Sequence, residues 1–235
     1  MIPARVPEAD TTSGAIHGGE ALDLAAYSRA ARKFIGAEYR KLNAFVVAEL
    51  RLNPRGRILE IGPGPGWIGI WLAKQLPGSE IVGFELSPDM IRIAEQNWAD
   101  EGVENVRFVQ GDAADLSRFE AASFDAVVSN GSLHHWLDPV VVFDEVARVL
   151  KPGGVVAIND NRRDMGLGAR AVVRVITAAM RFERDAAALR AGWRSSIAAA
   201  YTEAEVQKML ARSRLAGCAV RTGPLDVLIH SSRRR

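Results

Sequence analysis

Short apolar runs alternate with helical patterns through the middle of the chain. Five of these runs predict strands: RILEI (57–61), EIVGFE (80–85), VRFVQ (106–110), FDAVVS (124–129) and VVAIN (155–159). The helical pattern after the second run opens with Ser87 as a cap and Pro88 at the first helical position. Several runs are apolar at consecutive positions, which is typical of strands covered on both faces. The alternation predicts an α/β fold with a doubly wound, mostly parallel sheet.

The flanks of this core follow other patterns. A helix is predicted over residues 27–50, and residues 1–20 lack hydrophobic periodicity, so we expect them to form a flexible tail. Beyond the fifth strand, one long helix is predicted over 168–190, and a capping box at Thr202–Glu205 starts another. The runs 218–222 and 226–230 predict a closing antiparallel hairpin.

These patterns predict one domain over residues 21–235. Its core is expected at 56–160, with a turn at Lys151–Gly154 before the fifth strand. A helical substrate cap is expected at about 161–215 and the hairpin at 216–231. An insertion at this point of an open α/β sheet lies near the edge where such folds bind ligands.

Composition narrows the class of protein. The 235 residues are 48% hydrophobic and 25% charged, which is ordinary for a globular chain. The single cysteine, Cys218, excludes an intramolecular disulfide and a cysteine-cluster metal site, and we expect no metal. The N-terminus lacks the apolar stretch of a signal peptide and no run is long enough to span a membrane, so we expect a cytoplasmic protein.

The charge is unevenly distributed. Residues 1–150 hold 14 basic and 21 acidic residues, whereas residues 151–235 hold 16 basic and 7 acidic ones. The basic part is suited to an anionic substrate or nucleic acid. Because its arginines stand among acids and not in one block, as in Arg181–Asp185, we favour a solvated helix face.

The stretch LEIGPGPG (59–66) carries the most specific chemistry. Gly62, Gly64 and Gly66 lie between a strand and a helix, where a ligand can approach the backbone closely. Pro63 and Pro65 each remove a backbone donor that a pyrophosphate would need, and the carboxylate of Glu60 would repel one. The loop therefore favours a ligand that carries positive charge.

Two further acids end the next strands. Glu85 closes the second predicted strand, where an acid can accept hydrogen bonds from both ribose hydroxyls of an adenosine. Asp112 follows the third strand and could accept from an adenine amino group, with the Ala113 N–H as a donor to the ring. Asp112 is by itself also an ordinary turn residue.

The successive motifs resemble those of class I S-adenosylmethionine-dependent methyltransferases. They are LEIGPGPG, GFELSPDMIRIAEQN, FVQGDAADL, FDAVVSNGSLHHWLDP and LKPGGVVAIND, in the family's order over about residues 57–160. The resemblance implies a Rossmann-like, seven-stranded sheet whose last two strands form the hairpin. It implies S-adenosylmethionine as cofactor, with the following roles. Gly62, Gly64 and Gly66 would wrap the methionine portion, and Glu60 would lie close by to hold its amino group. Glu85 would bind the ribose, with Leu86 beside the adenine. Asp112 and Ala113 would contact the adenine edge, and Asn130 and Gly131 would lie near the sulfonium.

Catalysis by methyl transfer needs few protein groups. The cofactor supplies the reactive carbon, and a base is needed only if the acceptor must lose a proton. His134 and His135 follow the fourth strand and are the candidate bases, with His134 preferred, although packing or capping explains them equally well. Arg162 and Arg163 either clamp an acidic substrate or pair with Asp160 and Asp164. Trp136 either walls the pocket or belongs to the core. Tyr27 and Tyr39, on the N-terminal helix, either lie over the cofactor, as aromatics do in some members of the family, or pack in the core, which we favour.

We expect a small-molecule methyl acceptor. The run after the fourth strand, Ser129–Ser132, lacks the Asn-Pro-Pro-Tyr type of tetrapeptide, which argues against methylation of nucleic acid or glutamine. Two alternatives stay open: an NAD(P)-dependent oxidoreductase, which Glu60 and the loop prolines disfavour, and a catalytically silent cofactor-binding scaffold. The acceptor atom and the oligomeric state are not predicted.

Overall fold

A seven-stranded sheet forms the centre of the described chain, which comprises residues 4–6, 23–50, 55–183 and 185–231 of a computed structural model. Its strands are β1 (Arg57–Ile61), β2 (Glu80–Glu85), β3 (Val106–Gln110), β4 (Phe124–Asn130), β5 (Leu150–Asn161), β6 (Ala219–Thr222) and β7 (Asp226–His230). Their spatial order is β3-β2-β1-β4-β5-β7-β6. β1 to β5 are parallel, whereas β7 is antiparallel to β5 and β6. The predicted sheet and its closing hairpin are confirmed.

Eight helices surround this sheet in the described residues. They are α1 (Leu24–Phe34), α2 (Gly36–Leu50), α3 (Trp67–Gln75), α4 (Pro88–Glu101), α5 (Pro139–Val149), α6 (Leu167–Ala179), α7 (Ala186–Ala199) and α8 (Glu203–Ala211). The predicted caps form: Ser87 accepts from the Met90 N–H, and Thr202 and Glu205 make the reciprocal bonds of a capping box.

The two faces of the sheet pack against different helices. Ile58 of β1 belongs to the core cluster that includes residues of α2 and α3, and Leu59 belongs to the one that includes residues of α5 and α8. This separation follows from the alternation of side chains along a strand. Glu60 therefore points to the same face as Ile58, beneath α3.

Two predicted helices are each divided, so those predictions were wrong. The helix expected over 27–50 breaks at Ile35. A side chain added at Gly36 would lie 3.2 Å from the Trp71 ring, so glycine allows α2 to start close against α3. The helix expected over 168–190 is α6, a 3-10 turn at Met180–Phe182 and α7. That break lets Met180 and Ala186 share one small apolar cluster with α1.

The turn predicted at Lys151–Gly154 lies within β5. Leu150 pairs with Phe124 and Val155 pairs with Ala126, so the intervening residues form an irregularity in the strand. Within the segment expected as a cap, α8 contributes Val206 and Leu210 to the main core beside α5. Helix α7 packs on α1, and α6 joins the same apolar cluster through Ile176.

Candidate functional site

The predicted cofactor residues come together at one edge of the sheet. Strand order reverses at β1, which has β2 on one side and β4 on the other. In open α/β sheets the crevice at such a reversal, outside the carboxyl ends of the strands, is where ligands bind. The residues that line this edge are Gly62, Gly64 and Gly66 after β1, Glu85 and Leu86 at β2, Asp112 and Ala113 after β3, and Asn130 and Gly131 at β4.

The glycine loop has a backbone that only glycine adopts easily. Gly62, Gly64 and Gly66 have φ angles of 65°, 52° and 79°. A side chain on Gly62 would lie 2.6 Å from the Ser132 Cβ, and one on Gly66 would lie 2.6 Å from the Phe108 ring. Nothing lies within 4 Å of the same position on Gly64. The loop is thus packed at both ends and open at its middle, as a backbone cradle should be.

Side chains that the sequence analysis did not identify hold this loop in place. The Asn97 Nδ2 donates to the Pro65 carbonyl at 2.7 Å and to the Ser28 Oγ at 2.9 Å. The Trp67 Nε1 donates to the same hydroxyl at 3.2 Å. Helix α1 is therefore tied to both ends of the turn that enters α3. No motif signals these contacts, since they join residues about 30 to 70 positions apart.

Glu85 is held at the crevice by backbone donors. One carboxylate oxygen accepts from the Gly64 N–H and the other from the Ser87 N–H, both at 3.0 Å. Burial raises the pKa of Glu85, while these hydrogen bonds and the nearby His135 oppose the shift. The bonds fix the carboxylate's position beside the glycine loop.

Glu60 lies beneath the loop and not on the open crevice. It is 1% exposed, and one of its oxygens would lie 2.6 Å from a side chain added at Gly69 of α3. Burial raises the pKa of Glu60 to about 8, with a hydrogen bond from the Gly69 N–H opposing the shift and Glu85 adding to it. The group is therefore protonated at neutral pH, which corrects the assumption that it presents a permanent carboxylate to a ligand.

The far wall of the crevice is shaped by turns after β2, β3 and β4. Leu86 exposes 38% of its surface there. The Gly111 N–H donates to the Glu85 carbonyl at 2.9 Å, which places the Asp112 turn next to Glu85. Asp112 accepts from the Ala114 N–H at 2.9 Å. On the β4 side, the Asn130 side chain accepts from the Asn159 amide at 3.0 Å.

The two histidines have different surroundings. His134 is 2% exposed, and its Nδ1 lies 2.8 Å from Oδ1 of Asp160. The other carboxylate oxygen of Asp160 accepts from the backbone N–H of His134 at 2.9 Å. His135 is half-buried, its ring centroid lies 4.1 Å from that of His134, and it is close enough to Glu85 to lower that group's pKa. The structure thus associates His135, and not the preferred His134, with the cofactor edge. Asp160 was not foreseen as the partner of His134.

The aromatic candidates belong mainly to the core. Trp136 packs edge-on against Phe143, with ring centroids 5.9 Å apart, and Tyr39 packs in the same way on Trp71 at 6.3 Å. Both are buried. Tyr27 is half-buried and packs against the cluster that joins α1 to α7.

Arg5 links the end of α7 to the turn that carries His134 and His135. Its Nε donates to the Ala199 carbonyl at 2.7 Å, and a terminal nitrogen donates to the His134 carbonyl at 3.0 Å. The guanidinium also stacks over the Tyr201 ring at 4.2 Å. Residues 4–6 of the segment expected to be a flexible tail are therefore anchored; residues 1–3 and 7–20 lie outside the described residues.

Arg162 and Arg163 make ion pairs within the chain. Arg162 pairs with Asp164 at 2.8 Å, as one of the two hypotheses held. Arg163 is buried and pairs with Glu205 at 2.8 Å, a partner that neither hypothesis named. With both guanidinium groups engaged, the structure gives no support to a clamp for an acidic substrate. Over the described ranges there is no cluster of potential metal ligands and no helix long and apolar enough to cross a membrane.

Comparison with known proteins agrees with this geometry. The family model described as a methyltransferase domain matches residues 59–158. A ubiquinone biosynthesis O-methyltransferase from Xanthomonas axonopodis is 33% identical over 124 residues, covering 52% of this chain and 51% of its own length. A demethylmenaquinone methyltransferase from Thermus thermophilus is 34% identical over 123 residues, covering 52% and 54%. The chain spans about half the length of these curated relatives.

Solved structures share the fold over most of the chain. A Methanococcus maripaludis protein, provisionally assigned as an S-adenosyl-L-methionine-dependent methyltransferase, aligns with a TM-score of 0.70 at 24% identity and covers 90% of this chain and 92% of its own. A SAM-dependent methyltransferase from Aquifex aeolicus aligns with a TM-score of 0.54 at 18% identity, covering 82% and 96%. Residues 59–158 thus match the methyltransferase domain family, and the solved structures share its fold. Nothing in these comparisons favours an oxidoreductase.

Proposed function

We propose that this protein transfers the methyl group of S-adenosylmethionine to a small molecule. The observation that carries the proposal is the pairing of the open Gly64 position with Glu85, whose carboxylate the Gly64 N–H holds at the crevice. A nucleoside with an amino acid side arm would find hydrogen-bond acceptors for its ribose beside a backbone cradle. The family match over residues 59–158 supports the same cofactor.

The residues of the crevice fit the parts of this cofactor. The roles proposed are methionine binding by Gly62, Gly64 and Gly66, with Glu60 beneath; ribose binding by Glu85; adenine contacts from Leu86, Asp112 and Ala113; and proximity of Asn130 and Gly131 to the sulfonium. The exposed side chain of Leu86 and the open space at Gly64 support this arrangement. When bound, the cofactor supplies an activated methyl group on a good leaving group.

The chain's own task is to orient the acceptor and to exclude water. His135 is proposed as the base that accepts a proton from the acceptor, because it is half-buried and lies near the cofactor edge. His134 and Asp160 are proposed as positioning residues, since their bonds fix the turn that carries His135. Helix α7 covers this turn, and Arg5 links the two.

The acceptor is proposed to be a small molecule and not nucleic acid. The curated relatives are named for methylation in ubiquinone biosynthesis and of demethylmenaquinone, which supports a small acceptor but does not name the one used here. A cytoplasmic location is part of the proposal.

Two measurements test this function. Calorimetric titration should detect binding of S-adenosylhomocysteine, and NADH should not compete with it. Incubation with S-adenosylmethionine and a panel of phenols, amines and carbon acids should then release S-adenosylhomocysteine. Binding of NADH alone would reject the cofactor assignment. Cofactor binding without turnover across the panel would instead favour the silent scaffold.

A further inference from the structure

Four arginines of the cap line one cavity. Arg174 and Arg181 come from α6 and the turn after it, and Arg190 and Arg194 come from α7. With Thr177 and Ala178 they line a cavity of about 410 Å³ that is open to solvent. Among the described residues, no carboxylate pairs with any of these four guanidinium groups. Like charges gathered in this way repel one another unless an anion lies between them.

The acids that stand among these arginines in the sequence face another helix. Glu183 pairs with Lys33 at 2.6 Å, and Asp185 pairs with Arg29 at 2.6 Å, both on α1. These two acids therefore do not pair with the four cavity arginines. The acids of this segment thus bind α1, while the four arginines line the cavity.

An exposed apolar strip, formed by α6 and the turn after it, lies next to the cavity. Four of the eight large apolar side chains exposed in the described chain occur within residues 167–182: Leu167, Val172, Val175 and Phe182. Leu167 is 86% exposed, Val175 69% and Phe182 88%. By helical periodicity, Leu167, Val172 and Val175 occupy one side of α6, and Arg174 borders that side.

We propose that this arginine cavity and apolar strip form a docking site for the phosphate groups of an anionic lipid surface. Exposed apolar side chains beside a row of arginines are the pattern by which a helix lies in the interface of a membrane. Guanidinium groups bind lipid phosphates, while the strip enters the headgroup region. A second copy of the chain fits less well, because a two-fold contact over this face would bring the two arginine sets together.

Vesicle co-sedimentation tests the proposal and needs no methyl transfer. The full chain should pellet with vesicles of phosphatidylcholine and phosphatidylglycerol, and not with phosphatidylcholine alone. High salt should weaken the binding. Removing one arginine near a charged membrane costs about fivefold in binding. The double variant R190Q/R194Q should therefore bind about 25-fold more weakly.

Matched variants distinguish the effect of this site on vesicle binding from the effect of the overall charge. R92Q/R212Q removes the same charge from two exposed arginines that lie outside α6 and α7, and it should leave vesicle binding unchanged. Phe182→Gln should weaken binding by about tenfold, the scale for losing one buried aromatic side chain. Thermal melting of each variant should match that of the parent protein, which separates lost docking from lost folding.

Other results would overturn the proposal. They include equal binding to neutral vesicles, equal loss in R92Q/R212Q, and no binding to either vesicle. Stabilisation by inorganic phosphate that R190Q/R194Q abolishes, without vesicle binding, would assign the cavity to a soluble phosphate ester. Binding of a single-stranded oligonucleotide in preference to anionic vesicles would assign it to nucleic acid.

Discussion

The floor of the crevice and the cap above it are built in different ways. The floor consists of turns at the ends of adjacent parallel strands, held by backbone hydrogen bonds such as that from Gly64 to Glu85. The cap consists of α6 and α7, joined to α1 by a small apolar cluster and by ion pairs at the surface. Exposed ion pairs contribute little to stability. A fixed floor under a weakly attached cap suits a constant cofactor and an acceptor that must enter and leave.

Substitution within the glycine loop should show how rigid the floor is. Gly66→Ala combines a left-handed backbone with an overlap on Phe108, so we expect it to lower the free energy of unfolding by about 3–5 kcal/mol. Gly64→Ala has the backbone strain without the overlap and should cost about 1 kcal/mol. Urea unfolding of both variants measures the difference. Equal effects would mean that the loop is not packed as described.

The buried acid under the loop should make stability depend on pH. The pKa of Glu60 is raised from 4.5 to about 8, so the folded state retains a proton that the unfolded state loses. Stability from this group is present below about pH 4.5 and falls as the pH rises to about 8. Relative to Glu60→Gln, the parent should lose about 2–3 kcal/mol between about pH 6 and about pH 8. Parallel pH profiles in urea would refute the burial of this charge.

Removal of Glu85, the acid proposed to bind ribose, should affect the floor alone. Glu85→Ala should weaken S-adenosylhomocysteine binding by about 1.5–3 kcal/mol, the scale for hydrogen bonds to a charged group. Glu80→Ala, at the other end of β2, is the matched control, since its contacts are with Arg57 and Arg107. Calorimetric titration compares them. An unchanged dissociation constant in Glu85→Ala would reject the ribose assignment.

The smallest expected effect tests whether the cap influences acceptor binding independently of cofactor binding by the floor. Arg5→Gln loses bonds to Ala199 and His134, which are worth about 1 kcal/mol in a partly exposed place. We expect the KM for the acceptor to rise about fivefold while S-adenosylhomocysteine binding stays the same. If cofactor affinity fell as far as in Glu85→Ala, the cap and the floor would form one unit.

The sequence predicts the floor better than the cap for a physical reason. Each floor residue lies within a few positions of a strand end, and parallel strands bring their ends to one edge. The strands, the loop glycines and Glu85 follow from local pattern alone. By contrast, the breaks at Ile35 and after Phe182 depend on which helix packs on which, and periodicity continues across both of them.

The remaining differences between the predicted and the observed site come from side-chain partners that are distant in sequence. Arg163 pairs with Glu205, His134 with Asp160, and Arg5 with the end of α7, over 26 to 194 positions. Nearby acids suggested other partners for Arg163. Burial likewise raises the pKa of Glu60. The sequence alone gives no reason to assign this carboxyl group anything but an ordinary pKa, because the shift depends on its surroundings in the fold.

The Ser28 hydroxyl receives hydrogen bonds from Trp67 and Asn97, yet it precedes the first strand by almost thirty residues. A chain shortened to begin at residue 55 would keep every glycine of the loop and both acids beneath and beside it. It would nevertheless lose the anchor that joins α3 to α4 above the Pro65 carbonyl. The smallest fragment that keeps the glycine loop anchored is therefore longer than the stretch whose sequence motifs identify the loop.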